Sequence, residues 1–230
     1  MTRNKRYICN FWIFILYLKR KERHRVDMKI YLIRHGETDW NVERKLQGRS
    51  DIPLNGEGKR LAKVTAEALA DVAFSRIFTS PLMRAKETAM IIKGDREIPI
   101  IEEERIQEIS FGIYEGFYCA ENHYTIPDPD FIHFFKKPEA YHAPKGAETI
   151  EALCERTTDF LNELVHTSEY QEETILISTH GAALRGLLSS INMDGVAQFW
   201  KGGVHKNCAV TILEVTDGKI ELLEEGKVYY

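Results

Sequence analysis

The chain has 230 residues, 43% hydrophobic and 29% charged, with a formal net charge of −4, the make-up of one ordinary globular domain with room for an inserted subdomain. Residues 1–27 hold eight of the 31 Lys/Arg but only two of the 35 Asp/Glu, leaving 23 basic against 33 acidic side chains and a formal −10 on residues 28–230. So acidic a body excludes general nucleic-acid binding, and any anion must be held by a few concentrated positive groups.

In chain order, "YICNFWIFILYL" (7–18) comes first, an apolar run with basic flanks. It is shorter than the ~20 residues of a membrane span. "KRKERHR" follows it where a signal peptide would carry a small-residue cleavage site, so it fits no targeting class well. The expectation is that Met28 is the working start, since "MKIYLIRHG" begins directly on a strand. A basic interfacial anchor over residues 1–27 is the alternative.

From residue 28 to 230, strand and helix patterns alternate. "KIYLI" (29–33) reads as a strand, and 56–70 as a helix with Leu61, Val64, Ala68 and Leu69 at helical spacing. "RIFTS" (76–80) is a strand, followed by a helix with Ser80 as N-cap and Pro81 at its first position. Residues 151–165 form an amphipathic helix, 174–179 a buried strand and 182–191 another helix. "NCAVTILEV" and "KIELLEEG" flank Thr216-Asp217-Gly218-Lys219, a hairpin signal. Either strand could lie at an edge and join two subunits as a homodimer. The succession predicts an α/β fold, a three-layer α/β/α sandwich about a mostly parallel sheet. Residues 111–147 break the pattern. Rich in aromatics, prolines and histidines, they predict an inserted cap.

The strands at 29–33, 76–80 and 174–179 are each followed by a cationic or protonatable side chain: Arg34 and His35, then Arg84, then His180. Alone, Arg84 reads as a solvated first-turn helix residue, His180 as a hydrogen-bonded structural histidine, and Gly36 and Gly181 as turn glycines. Together they read differently. Ligands of parallel sheets bind outside the carboxyl ends of the strands, and two arginines and two histidines gathered there suit a phosphate.

The stretches "RHGETDWN", "QGRSDIPLNGEG", "SPLMRAKETA", "FGIYEG", "GAET" and "ISTHGAALR" resemble, in order and spacing, the histidine phosphatase superfamily, the phosphoglycerate-mutase-like clan. The likeness spans roughly residues 28 to 215 and implies covalent catalysis. His35 would attack phosphorus as a neutral imidazole, its other nitrogen held by a backbone carbonyl. Arg34, Arg84 and His180 would bind the phosphoryl oxygens, with Asn41, Gln47 and Gly181 completing the site. Glu108 matches the proton-donor position. On composition alone its neighbours Glu102, Glu103 and Glu104 are equally plausible surface acids. Two departures stand out: Thr179 replaces the serine often found before the second histidine, and the family's Leu-Arg-Glu reads "RIQE".

The scheme needs no metal and no cofactor, since arginines and imidazole supply the positive charge. His123, His133 and His142 of the cap lack metal-ligand spacing and could touch substrate. Lys136, Lys137 and Lys145 could bind a carboxylate, though without the bidentate fork of an arginine. Residues 111–147 contain no arginine, whereas phosphoglycerate mutases of the clan carry a paired arginine in a longer insertion. "FGIYEG" also resembles the phosphatase branch. The expected function is therefore a phosphomonoester hydrolase acting on a small phosphorylated metabolite. The alternatives are a cofactor-dependent phosphoglycerate mutase and a non-catalytic phosphate-binding module. Length and motifs also resemble α-ribazole phosphatases and broad phosphomonoesterases. Cys9, Cys119, Cys154 and Cys208 are scattered, predicting reduced thiols in a cytoplasmic protein.

Overall fold

The computed structural model describes residues 27–192 and 195–230. Apart from Asp27, the expectation for residues 1–27 lies outside the described residues. In chain order the elements are β1 (Met28–Arg34), α1 (Asp39–Val42), α2 (Gly56–Ala68), β2 (Arg76–Thr79), α3 (Met83–Lys93) and β3 (Ile100–Glu102). The short pair β4 (Cys119–Ala120) and β5 (His123–Tyr124) follows, then α4 (His133–Lys136), α5 (Ile150–His166), β6 (Thr174–Thr179), α6 (Gly181–Asn192), β7 (Val210–Thr216) and β8 (Lys219–Lys227).

The six-stranded sheet has the order β3-β2-β6-β1-β7-β8. Strands β3, β2, β6 and β1 are parallel, β7 runs antiparallel to β1, and β8 runs antiparallel to β7. The central strands are apolar on both sides because both sides are covered. In β1, Met28, Ile30 and Leu32 enter one core with Phe160, Leu164, Leu184 and Leu187, whereas Ile33 enters another with Leu61, Ala62, Ala89 and Ile92. That alternation is the period of two expected of a strand. It places α5 and α6 on one face and α2 and α3 on the other.

Helix α5 forms where Leu153, Thr157, Phe160, Leu161 and Leu164 recur at intervals of three or four and are buried. Thr149 caps it, accepting from Ala152 N at 3.1 Å. The hairpin turns at Asp217 and Gly218, whose φ angles of 55° and 76° are the paired positive values of a two-residue turn. Of its strands only β8 is an edge, since β7 pairs on both sides.

The helix expected from Ser80-Pro81 begins instead at Met83, with Leu82 at the N-cap. The Ser80 hydroxyl is hydrogen-bonded with His180 Nε2 at 2.7 Å, and Asp51 Oδ1 accepts from Met83 N at 2.6 Å. Ser80 Oγ also accepts from Leu82 N at 3.3 Å, so the serine and a distant carboxylate share the first amides of this turn.

Residues 111–147 carry a third core, which packs against α5 and α6. Phe111, Phe131 and Phe134 bury themselves with Phe199, Ile150, Leu153, Ala182 and Ala183. Phe111 and Phe134 meet edge to face at 5.0 Å, and Phe134 meets Trp200 at 5.4 Å. Much of the aromatic content of the cap is thus packing.

Candidate functional site

Arg34 of β1 lies level with Thr179 of β6, and Ser178 of β6 with Thr79 of β2. The residues just past these strand ends must therefore converge. His35 and His180 are 2% and 0% exposed, with ring centroids 5.2 Å apart. A carbonyl only accepts, so the 2.7 Å contact from His35 Nδ1 to Gly36 O puts the proton on Nδ1 and leaves a lone pair on Nε2. A Cβ at Gly36 would stand 2.6 Å from Gly58 O, so α2 can lie against this turn only because the residue is glycine.

Burial pushes both imidazoles well below the ordinary histidine range, and the charge of Arg84 adds to the effect. Above that range both chain states are neutral at these rings. Below it the unfolded chain takes up protons that the folded chain refuses, so stability falls as pH drops. Each ring contributes a slope of up to about 1.4 kcal/mol per pH unit. Urea denaturation between pH 7 and pH 5 should show His180→Gln losing less stability than the wild type. Equal losses would place protonated imidazoles in the folded protein.

Arg84 is fully buried and donates to Gly48 O at 2.7 Å and Ser50 O at 2.8 Å. Burial lowers its pKa to about 10, against the opposing pull of Glu108 and Asp51, so it remains charged at neutral pH. Arg34 donates through Nη1 to His205 O. The Nε of each arginine and His180 Nδ1 are buried without a partner. Orphaned nitrogens of this kind call for an explanation, and an oxyanion would satisfy them.

Arg34, His35, Asn41, Gln47, Arg84, Glu108 and Gly181 line one pocket of about 140 Å³. His180 is not on its wall. Its Nε2 is tied to Ser80, and its Nδ1 is the nitrogen left without a partner. Asn41 Oδ1 accepts from Thr38 N at 3.1 Å and Asn207 Nδ2 at 3.3 Å, and Gln47 Oε1 from Thr38 Oγ1 at 3.0 Å. Both amides therefore have their oxygens engaged and their NH₂ groups left to donate. Glu108 accepts from Ala182 N at 3.2 Å and Ala183 N at 3.0 Å, in the first turn of α6.

Residues with no assigned role in the sequence hold these groups in place. Arg156 donates to the carbonyls of Arg105 (2.7 Å), Gln107 (2.8 Å) and Glu108 (3.2 Å) while gripping Glu148 in a fork at 2.7 and 2.8 Å. Thr179 Oγ1 donates to Ile106 O at 2.8 Å, so the hydroxyl retained in place of serine fixes the same loop. Glu115 accepts from Arg49 N (3.0 Å), Ser50 Oγ (2.7 Å) and Phe111 N (3.1 Å), and so braces the loop whose carbonyls hold Arg84. Gly48 in that loop has a φ of 53°, and a Cβ there would collide with the Glu115 carboxylate. The acids of "GAET" and "FGIYEG" were visible as motif letters, but their partners were not.

Phe111, Phe134, Phe135, Trp200 and Val204 supply the pocket's apolar wall. None of His123, His133, His142, Lys136, Lys137 or Lys145 lines it, and His123 stacks on Tyr118 at 3.9 Å. The basic residue at the mouth is Lys45. Among the described residues no group of three or more His, Cys, Asp or Glu is placed to hold a metal, and no helix is long and apolar enough to cross a membrane.

The sequence profile of the histidine phosphatase superfamily (branch 1) matches residues 30–227. Over 163 residues the chain is 37% identical to the uncharacterized phosphatase PhoE of Bacillus subtilis (strain 168), covering 71% of this chain and 77% of that one. YhfR of Bacillus stearothermophilus superposes with a TM-score of 0.80 at 36% identity, over 87% of this chain and 98% of that one. A mutant phosphoserine phosphatase of Entamoeba histolytica, solved in complex with phosphoserine, superposes with a TM-score of 0.73 at 27% identity, over 87% and 97%. Relatives named as phosphoglycerate mutases match as well.

Proposed function

The chain belongs to the histidine phosphatase superfamily (branch 1) and is a phosphatase by kinship, and from that premise we propose that it hydrolyses phosphomonoesters of small metabolites through a phosphohistidine on His35. The observation that carries the reading is the donation from His35 Nδ1 to Gly36 O, which frees Nε2 beside two arginines that each keep a buried, unpaired Nε–H.

His35 Nε2 attacks phosphorus, the P–O ester bond breaks, and Glu108 gives its proton to the departing alkoxide. Water then attacks the P–N bond, Glu108 takes the water's proton, and phosphate leaves a neutral imidazole behind. Arg34, Arg84 and His180, with the amide donors of Asn41 and Gln47 and the backbone at Gly181, stabilise the charge that spreads over the phosphoryl oxygens. Hydrolysis is favoured over transfer to a second substrate by the pocket's wall, where the cap contributes Phe111, Phe134 and Phe135 and no arginine. A reducing, cytoplasmic setting fits Cys119, Cys154 and Cys208, which are free thiols among the described residues.

The test is phosphate release from p-nitrophenyl phosphate in EDTA, with ³²P-labelled substrate quenched in alkali. Turnover in EDTA and an acid-labile, base-stable label on the protein are the expected results. Turnover that stops in EDTA would overturn metal independence. Turnover with no label, under conditions where the second step is slowed, would overturn the covalent step.

A further inference from the structure

The pocket around His35 opens sideways into a groove of about 560 Å³, and the two share Arg34, Asn41, Lys45, Cys119, Phe135 and Val204 on their walls. The groove's other charged residues are Arg44, Lys206, Glu37 and Glu57. Only Glu57 is paired with a cation, and Glu37 has a neutral amide as its partner. Glu57 grips Arg60 through both oxygens at 2.7 and 2.8 Å, and Glu37 accepts from Asn55 Nδ2 at 3.0 Å. Arg44 and Lys206 are exposed, and among the described residues neither has an ion pair.

Lys45 stands at the junction. Its ammonium lies 4.8 Å from the Tyr118 ring centroid and pairs with Glu43 at 2.5 Å, a residue on neither wall. The preceding residue, Arg44, holds a φ of +59°, a left-handed backbone that glycine would adopt without strain. A non-glycine residue kept there points to a use for its side chain. In a body that carries a formal −10 over residues 28–230, cations left uncompensated beside a phosphate pocket concentrate anions locally.

We propose that the groove is a second anion subsite in which Lys45 and Arg44 determine specificity. Its ligand is the alcohol portion of a phosphomonoester that bears a second oxyanion, a carboxylate or a phosphate. With the phosphoryl group between Arg34 and Arg84, the second charge reaches the groove, and Lys45 exchanges Glu43 for it. The proposal rests on the phosphomonoesterase reading above.

The test compares two matched pairs of substrates on the full chain, by steady-state kinetics and by titration calorimetry. Glycerol 3-phosphate and 3-phosphoglycerate differ by a carboxylate, and fructose 6-phosphate and fructose 1,6-bisphosphate by a phosphate. At low ionic strength the doubly anionic member of one pair should have a kcat/KM higher by about tenfold, chiefly through KM, and the gap should narrow with salt. The pair that responds identifies the oxyanion. Lys45→Met should bring the ratio toward one, and Lys45→Arg should keep it. Arg44→Gly should lower the ratio while raising the melting temperature, a combination that a purely structural role does not produce. Ratios near one in the wild type for both pairs would overturn the subsite, as would a Lys45→Met effect equal on both members. A chain inert on all four and on p-nitrophenyl phosphate would overturn the hydrolase reading instead. The subsite would then be judged by calorimetry, where equal affinities within each pair would overturn it.

Discussion

His35→Ala reduces phosphate release from p-nitrophenyl phosphate to the uncatalysed background, a loss on the order of ten-thousand-fold or more in kcat, and leaves no alkali-stable label on the protein. The loss is this steep because no neighbour can stand in. The other imidazole, His180, is tied through Nε2 to Ser80 Oγ at 2.7 Å and is not on the pocket wall. The two arginines stay in place, since Arg84 is held by the carbonyls of Gly48 and Ser50 and Arg34 by that of His205. Phosphate binding should therefore survive in the variant. A kcat above about one per cent of wild type, measured on protein with an unchanged circular dichroism spectrum, would remove His35 from the role of nucleophile.

Arg84→Met should lower kcat/KM by about 10²–10³-fold, the range found when one preorganised donor to a developing charge is removed. Methionine keeps much of the length and apolar volume, so the change is mainly one of charge. Arg84→Lys should rescue little, because one ammonium cannot hold two carbonyls and also reach a phosphoryl oxygen. A second readout separates this role from a packing defect. The positive charge of Arg84 is among the causes that push His35 below the ordinary histidine range. Removing that charge should raise the His35 pKa, and the acid limb of the kcat/KM profile, where the imidazole becomes protonated and inactive, should move to higher pH. A variant within tenfold of wild type, or one whose acid limb does not move, would deny Arg84 its place in the site.

The parts of the site that were legible in the sequence are those where chemistry is local to a strand end. His35, Arg34 and His180 follow apolar runs directly, and parallel strands bring their carboxyl ends to one edge wherever the chain has travelled between them. Arg84 was legible by its position in the first turn of the next helix. Asn41, Gln47 and Glu108 were not, and only family resemblance singled them out. Their pocket-facing atoms depend on bonds to Thr38, Asn207 and the first turn of α6.

The supporting residues failed for the same reason, more strongly. Arg156 acts on carbonyls at 105–108, and Glu115 on a loop at 49–50. Nothing in an isolated arginine or glutamate reports such a partner. Ser80 shows how local chemistry can mislead. Ser-Pro after a strand is a sound N-cap signal, yet the helix starts at Met83, and the hydroxyl that accepts from Leu82 N also bonds a histidine a hundred residues away. The lysine on the pocket wall is Lys45, far in sequence from Lys136, Lys137 and Lys145 of the cap.

The strand order carries a consequence for how the molecule comes into being. Strand β6 lies between β2 and β1, so the strands that lead to Arg34 and His35 on one side and to Arg84 on the other do not join in one sheet until residues 174–179 have been made. A ribosome-bound chain that stops short of them exposes two apolar strand edges, and the pairing that closes the gap spans most of the sequence, the kind of contact that forms slowly. Such a nascent chain lacks His180 and the strand whose Ile175, Leu176 and Ile177 complete both cores. Acquiring the power to bind an anion is therefore a late event in the biography of each molecule, and a time-stamp of its folding.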